Sequence, residues 1–219
     1  MPTRKVPLVN DHYYHIFNLG VARQPIFHDK RDYSRFLRTM DYYRYENPSP
    51  KFSTYIASIA SEKPISGKGS KIIDLISYCL MPNHFHFLLK QNMDKGIIDF
   101  IRKLCNSYAK YFNVKSERIG PLFQGEFKSV LIETEEQLLH VQRYVHLNPY
   151  SSVVVNDVEE NSKYPYSSLH EYVNPSKSDI TNQDIIMHHF SDLYQYKSFI
   201  DDQADYQRTL NNIKHLTLE

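Results

Sequence analysis

Cysteine is scarce in this 219-residue chain, which contains only Cys79 and Cys105. They form no Cys-x-x-Cys pair, which argues against a structural zinc site and against a disulfide scaffold. We expect both to be small buried hydrophobic residues of a reducing compartment. No apolar run reaches the roughly 18 residues that a membrane-spanning helix needs, and the first residues lead into no apolar signal core. These absences predict a cytoplasmic protein.

Tryptophan is absent. Charge of neither sign predominates, because the chain has 26 basic and 25 acidic residues. This balance argues against binding a polyanion with the whole surface. The charge is unevenly distributed, however. Residues 100–130 contain six basic and two acidic side chains, whereas residues 174–219 contain four basic and seven acidic side chains. A phosphate-binding middle and a separate polar extension fit these counts. Ordinary solvated surfaces fit them equally well, so charge alone leaves both interpretations open.

Hydrophobic residues make up 41% of the chain, enough for the core of one domain. Strand-like patterns lie over 12–21, 72–80, 84–90 and 127–132. Helical patterns lie over 29–45, 94–113 and 134–147, and we expect Pro149 to stop the last helix. Residues 51–60 fit either a helix or a strand. The irregular alternation of strands and helices predicts an α+β protein, with helices packed on an antiparallel sheet.

Two histidines in the strand pattern over 84–90 are the first candidate site. His84 and His86 stand two positions apart in an apolar run. Side chains alternate between the faces of a strand, so both imidazoles project from one face while Phe85 and Phe87 take the other. Two imidazoles one pleat apart can bind one metal ion. Satisfied core histidines would give the same spacing, which therefore does not decide between the two interpretations.

The helix pattern that begins at the capping box Thr134-x-x-Gln137 supplies the second half of the candidate site. Tyr144 and Asn148 are one turn apart, on the flank of the apolar stripe formed by Leu138, Val141 and Val145. If this helix faces the histidines, Asn148 would add an amide oxygen to the metal site, and Tyr144 would point at the bound phosphate. A tyrosine with a pKa near 10 needs activation by a cation or a base to act as a nucleophile.

Other tyrosines and histidines compete for these roles. Tyr108 and Tyr111 are rival nucleophiles, but neither has an amide side chain one turn later on the same face, and core packing explains them better. His140 and His146 would serve as general bases, yet they lie on different sides of Tyr144 by helical angle. We expect both to be surface histidines.

The basic middle of the chain supplies candidate phosphate contacts, which position a nucleic acid without reading its sequence. These DNA-binding candidates are Lys103, Lys110, Lys115, Arg118 and Lys128. Aromatic side chains between them would stack on bases or pack in the core.

Several motifs in order resemble one family, the IS200/IS605-like single-tyrosine transposases with a His-hydrophobic-His (HUH) motif, and within it the REP-associated tyrosine transposases. The resemblance runs from about Tyr13 to Val173. YHIFNLGVARQPIF is similar to the first strand of that family, YCLMPNHFHFLLK to its metal-site strand and RYVHLNP to its nucleophile helix. SYAKYFN, GPLFQGEFKSV and YPYSSLHEYV look like its central helix, the following strand and its closing segment.

The resemblance implies a ferredoxin-like HUH fold in a catalytic domain over 1–173, followed by an acidic helical appendage over 174–219. It also implies a divalent ion, Mg²⁺ or Mn²⁺, and the cleavage and rejoining of single-stranded DNA with hairpin ends through a 5′-phosphotyrosine. A homodimer is a further expectation.

Position by position, His84 and His86 match the metal ligands of the family, Tyr144 its nucleophile, and Asn148 the polar residue that completes the metal site.

Some positions depart from the family pattern, and each departure removes a positive charge. Leu19, Glu126 and Ser151 stand where the family often has a basic residue. Residues 51–70 resemble an insertion without an assigned role.

Two alternatives remain at this point. One is a domesticated hairpin-DNA-binding protein without mobility. The other is a zinc hydrolase, which would need Asp-His shortly after the histidine pair, where Phe87-Leu88 stands instead.

Overall fold

The computed structural model describes residues 7–48, 52–60, 69–174 and 180–209. Its four strands are β1 (Tyr13–Leu19), β2 (Ile73–Met81), β3 (His84–Gln91) and β4 (Lys128–Ile132). They form one antiparallel sheet in the order β2-β3-β1-β4. Each predicted strand is confirmed to within two residues, and the predicted α+β class is confirmed. The strand with the two histidines has neighbours on both sides.

The helices lie between and after these strands. They are α1 (Lys30–Tyr43), α2 (Phe52–Ala60), α3 (Gly96–Lys115), α4 (Glu135–Ser151), α5 (Val158–Ser162), α6 (Leu169–Val173), α7 (Asp184–Met187) and α8 (Leu193–Asp201). The segment that fitted either a helix or a strand is therefore helical. Residues 51 and 61–68 of the proposed insertion over 51–70 lie outside the described part of the chain.

The alternation of β3 divides its side chains as the sequence predicts. Phe85 and Phe87 are fully buried on the face covered by α1 and α3, where the Phe36 ring lies 5.5 Å from the Phe85 ring. His84 and His86 project from the opposite face. A shift of one residue in register would exchange the two sets, so burial of the phenylalanines fixes the orientation of the histidines.

Helix α4 packs on the histidine face of the sheet, across β2 and β3. The Thr134 hydroxyl accepts a hydrogen bond from the Gln137 N–H at 3.1 Å, which confirms the predicted helix start. The predicted stop at Pro149 is wrong, because α4 continues to Ser151. A proline in the last turn removes few helical hydrogen bonds, and the Ser152 N–H still donates to the Asn148 carbonyl at 3.0 Å.

The prediction that His146 is a surface residue is also wrong, because its side chain is fully buried. Its Nδ1 lies 2.8 Å from the Tyr196 hydroxyl, and its Nε2 lies 2.8 Å from the Ser168 hydroxyl. The histidine thus ties α4 to α8 and to the residue that precedes α6. Burial lowers the pKa of His146 to about 3, so the imidazole is neutral in the folded protein at pH 7.

The described C-terminal residues pack against α4. Tyr150 donates a hydrogen bond to Asp205 at 2.6 Å, and the Arg143 guanidinium donates to the Phe199 carbonyl at 3.0 Å. These contacts cover the side of α4 that faces away from the sheet. The division into a domain over 1–173 and an appendage over 174–219 stays a prediction.

Both cysteines are free; Cys79 is buried, as predicted, and Cys105 is half-buried. None of the helices in the described ranges is long and apolar enough to cross a membrane.

We predict that the metal-free protein loses stability as the pH falls below about 6.5, in part through His146. The unfolded state takes up a proton there, whereas the folded state takes it up only near pH 3, so stability falls by about 1.4 kcal/mol per pH unit for this residue. His146→Gln should flatten the dependence of the unfolding free energy on pH between 6.5 and 4 by about one proton. Urea unfolding at several pH values measures this slope.

His140→Gln is the matched control, because His140 is an exposed histidine of the same helix. The change in slope for His146→Gln should exceed the change for this control. Equal slopes for His146→Gln and wild type would contradict the buried neutral imidazole.

Candidate active site between strand β3 and helix α4

The two halves of the candidate site, predicted from separate parts of the sequence, meet in the structure. The Tyr144 ring lies edge-on to the His86 ring, with 5.5 Å between centroids. The His84 and His86 rings lie 5.0 Å apart. Packing of α4 on β3 therefore places one hydroxyl group beside two imidazoles.

Asn148 links the two halves. Its side chain offsets part of the depression of the His84 pKa and part of the rise of the Tyr144 pKa, so it lies beside both groups. Its Nδ2 atom also donates to the Tyr144 carbonyl at 3.1 Å. One amide therefore contacts both the histidine pair and the tyrosine, as the one-turn spacing on α4 predicts.

The orientation of His84 is fixed by the residue that precedes it. His84 Nδ1 lies 2.6 Å from Asn83 Oδ1, and Asn83 donates its own amide N–H to the Arg23 carbonyl at 3.1 Å. An amide oxygen only accepts hydrogen bonds, so the imidazole must carry its proton on Nδ1. The lone pair of His84 Nε2 is then available to a metal ion.

His86 has a partner that the sequence analysis missed. His15 on β1 places its Nε2 atom 2.9 Å from His86 Nδ1. When His86 is the donor in this hydrogen bond, its Nε2 lone pair is available to a metal, as for His84. The only sequence signal was that His15 lies in an aromatic strand, since the pairing of β1 with β3 cannot be read from either strand alone.

Burial sets the protonation states in the site. It lowers the pKa values of His15 and His84 to about 4 and that of His86 well below its usual range. All three imidazoles are therefore neutral near pH 7, as metal binding by histidine requires. Burial also raises the pKa of Tyr144, and the side chain of Asn148 offsets part of that rise. The tyrosine is protonated at neutral pH and needs a cation or a base to become a nucleophile.

The donor set suits a divalent ion that accepts both nitrogen and oxygen ligands. It consists of two neutral imidazoles and one amide oxygen, and it leaves coordination positions for phosphate oxygens and water. Within the described ranges, no cluster of three or more His, Cys, Asp or Glu side chains is placed to hold a metal. The set formed by His84, His86 and Asn148 therefore depends on the amide of Asn148.

The predicted phosphate contacts do not share one surface. Lys128 is exposed on β4, on the same face as the histidines, because it pairs with Phe17 and Phe17 pairs with His86. Lys103 and Lys110 lie on α3 and Arg118 follows it, on the other side of the sheet.

Lys115, at the end of α3, differs from the other predicted phosphate contacts. Its ammonium group lies 2.8 Å from Asp29 and 2.7 Å from Asp32. These two carboxylates already neutralise its charge.

The rival tyrosines lie on α3, away from the histidines. Tyr108 is fully buried and donates its hydroxyl to the Ile26 carbonyl at 2.5 Å, which confirms core packing. Tyr111 donates to Asp32 at 3.1 Å. The sheet separates both hydroxyl groups from the histidine pair.

The part of the chain that holds the candidate site is also the part that a family model matches. The model of the IS200-like transposase family matches residues 8–148, which run from β1 through Tyr144 and Asn148. The solved structure of a REP-associated tyrosine transposase bound to a REP hairpin has a TM-score of 0.51 at 14% identity, and the match covers 79% of this chain and 86% of that one. Its fold agrees with the predicted ferredoxin-like HUH fold.

A crystal structure from Deinococcus radiodurans R1, of a protein proposed to be a transposase, gives a TM-score of 0.36 at 15% identity over 65% of this chain and 95% of that one. No curated protein matches the chain. The family match takes in nearly two thirds of the sequence, with both halves of the candidate site. The chain therefore belongs to the IS200-like transposase family.

Proposed function

We propose that this protein cleaves and rejoins single-stranded DNA beside hairpins, with Tyr144 as the nucleophile. The observation that carries the proposal is the edge-on contact between Tyr144 and His86, with the Asn148 side chain beside both halves of the site. Membership of a transposase family supports DNA as the substrate. The hairpin is proposed because the similar REP-associated structure is bound to one.

In the proposed reaction, the Tyr144 hydroxyl loses its proton and its oxygen attacks a backbone phosphorus. The bond from phosphorus to the 3′-oxygen of the preceding nucleotide breaks, which leaves a free 3′-hydroxyl and a 5′-phosphotyrosine. A 3′-hydroxyl then attacks this phosphotyrosine, releases Tyr144 and restores a phosphodiester. One phosphodiester is exchanged for another at each step, so rejoining needs no ATP.

His84, His86 and Asn148 would hold the Mg²⁺ or Mn²⁺ ion that this chemistry uses. Such an ion polarises the phosphate and stabilises the charge that develops on the leaving oxygen. The contributions of the chain are to keep both imidazoles neutral and to aim their free nitrogen atoms, through Asn83 and His15.

Lys128 is the predicted phosphate contact best placed for the cleaved strand, because it lies on the face of the sheet that carries the histidines. Lys103, Lys110 and Arg118 would contact DNA that extends beyond that face. Lys115 would contribute least, since two carboxylates bind it. A homodimer remains a prediction.

The proposal is tested by incubating the protein with single-stranded hairpin oligonucleotides and Mn²⁺, followed by denaturing electrophoresis. We expect a covalent protein–DNA band with Mn²⁺ and none with EDTA. Hairpin binding without a band under any divalent metal would favour the domesticated DNA-binding protein instead. A band of equal intensity in EDTA would contradict the metal site.

We predict that His15→Phe lowers the affinity for Mn²⁺ by about 10–100-fold, the usual cost of losing a residue that orients a ligand. The ring of phenylalanine cannot hydrogen bond with His86 Nδ1. Calorimetric titration with Mn²⁺ in the absence of DNA measures this affinity.

His15→Gln is the matched variant, because it keeps a polar side chain that reaches the same position; it should retain most of the affinity. Equal Mn²⁺ affinity for His15→Phe and wild type would contradict a role of His15 in orienting His86.

A further inference from the structure

Helix α1 carries a row of arginines that the proposed active site does not use. Arg31, Arg35 and Arg38 follow each other at spacings of four and three residues, so they lie along one side of the helix. A groove of about 340 Å³ runs beside them. Its lining contains no acidic residue and consists of Lys30, Arg31, Ser34, Arg35, Arg38 and Ile56.

The acidic residues of this region are already bound by other cations. Asp29 and Asp32 hold Lys115 at 2.8 and 2.7 Å, and Asp41 pairs with Arg44 at 2.8 Å. In the described ranges, no carboxylate lies within ion-pair distance of the three arginines of the row. The row therefore keeps its positive charge and can attract an anion.

Arg35 is held in place from two sides. Its guanidinium carbon lies 4.5 Å from the centre of the Phe52 ring and 5.1 Å from the centre of the Tyr111 ring. Its Nε atom is buried and has no hydrogen-bond partner within the described part of the chain. Phe52 and Ile56 both belong to α2, so this helix of the proposed insertion forms one wall of the groove.

The groove lies on the far side of the protein from Tyr144. The inner face of α1 contacts the sheet through Phe36, which packs on Phe85, whereas the histidines project from the other face of the same strand. Arg31 and Arg38 are seven residues apart, which corresponds to roughly 10 Å along a helix. Arginine side chains spread over that distance can reach neighbouring phosphates of one DNA strand, to which guanidinium groups bind through charge-assisted hydrogen bonds.

We propose that α1 and α2 form a second DNA-binding site, which contacts the sugar–phosphate backbone of DNA outside the cleaved segment. Three guanidinium groups in a row match the negative charge of neighbouring phosphates, and the groove beside them offers no base-reading amide. The site would add affinity without sequence preference, and it gives the proposed insertion a function. This inference rests on the proposed function only in taking DNA as the ligand.

The test measures binding of a hairpin oligonucleotide of arbitrary sequence by fluorescence anisotropy, at salt concentrations from 50 to 200 mM and without divalent metal. All variants carry Tyr144→Phe, so cleavage cannot contribute. Arg31→Gln with Arg38→Gln should reduce the slope of log affinity against log salt by about 1.8, at 0.9 per lost phosphate contact. Between 50 and 200 mM salt, the affinity of the protein with the intact groove should therefore fall by about 12-fold more than that of the arginine variant.

Lys71→Gln with Lys163→Gln is the charge-matched control, because it removes two positive charges from other exposed positions. Its slope should stay close to that of the intact groove. An equal reduction for both pairs, or an unchanged slope for the arginine pair, would overturn the second site. A further variant, Arg35→Lys, keeps the positive charge at the position between the Phe52 and Tyr111 rings. It should bind the hairpin nearly as well as the parent protein.

Failure of the proposed function would look different. If the arginine pair lowers the salt slope but the protein with Tyr144 present gives no covalent band, the second site stands and the proposed cleavage reaction is wrong. If the protein forms the covalent band at saturating DNA but substitution of Arg31 and Arg38 leaves the salt slope unchanged, the cleavage reaction stands and the second site is wrong.

Discussion

Tyr144→Phe abolishes the covalent DNA adduct, according to the proposed mechanism, and leaves hairpin binding intact. The substitution removes one oxygen atom, the nucleophile, and keeps the ring that packs edge-on to His86. No other hydroxyl in the described structure takes its position, so the expected loss is complete within detection, at least about 1,000-fold in rate. Denaturing electrophoresis after incubation with Mn²⁺ and a hairpin oligonucleotide measures it.

The matched controls are Tyr108→Phe and Tyr111→Phe. Both hydroxyl groups lie on the other side of the sheet, bonded to the Ile26 carbonyl and to Asp32. Each substitution removes one hydrogen bond and should cost about 1 kcal/mol of stability, yet the adduct should form as in the wild type. A band that survives Tyr144→Phe and disappears with either control would show that the nucleophile lies on α3.

His84→Ala has the second large expected effect, which is the loss of metal binding. The variant removes one of two imidazoles from the proposed donor set and leaves His86 and Asn148, too few ligands to hold Mn²⁺ against water. We expect at least about 100-fold lower Mn²⁺ affinity, a loss larger than that from an orienting residue. Titration calorimetry without DNA measures the affinity directly. The adduct should vanish in parallel.

His140→Ala controls for unspecific binding of Mn²⁺ by histidine, because His140 is exposed on α4, outside the site. Thermal unfolding supplies a second readout. Saturating Mn²⁺ should raise the melting temperature of the wild type and of His140→Ala, since a ligand that binds only the folded state stabilises it. An equal rise for His84→Ala would place the metal elsewhere.

The sequence was sufficient to predict the strand half of the site. The period of two in β3 places His84 and His86 together, because Phe85 and Phe87 need burial and the backbone offers only two faces. The one-turn spacing of Tyr144 and Asn148 was equally readable from helical geometry. That α4 lies against β3 did not follow from these patterns. It came from the family resemblance, because the position of a helix on a sheet depends on packing that no local period encodes.

Two residues around the histidines escaped prediction for different reasons. His15 reaches His86 only through the pairing of β1 with β3, and strand register depends on the whole sheet. Asn83 is adjacent to His84 in the sequence, but its role depends on the turn that directs its amide toward the Arg23 carbonyl. Cross-strand contacts and turn geometry are therefore what the sequence patterns left out.

The error on His146 has a single physical cause. A polar residue beside the apolar stripe of α4 would meet solvent if the sheet were the only partner of the helix. The C-terminal helix α8 supplies Tyr196 to the imidazole, and the residue before α6 supplies Ser168. Polar composition made the C-terminal segment look like an extension, whereas its few apolar side chains suffice to bury one side of α4.

The separation of His86 and Tyr144 along the chain has a consequence for protein synthesis. Tyr144 follows His86 by 58 positions, and their contact exists only after α4 has packed on the sheet. A nascent chain that has emerged from the ribosome only as far as β4 has both histidines but no nucleophile beside them. Under the proposed mechanism, the ability to break a DNA strand is acquired only once α4 has been synthesised, and chains that terminate before α4 cannot form the covalent DNA adduct.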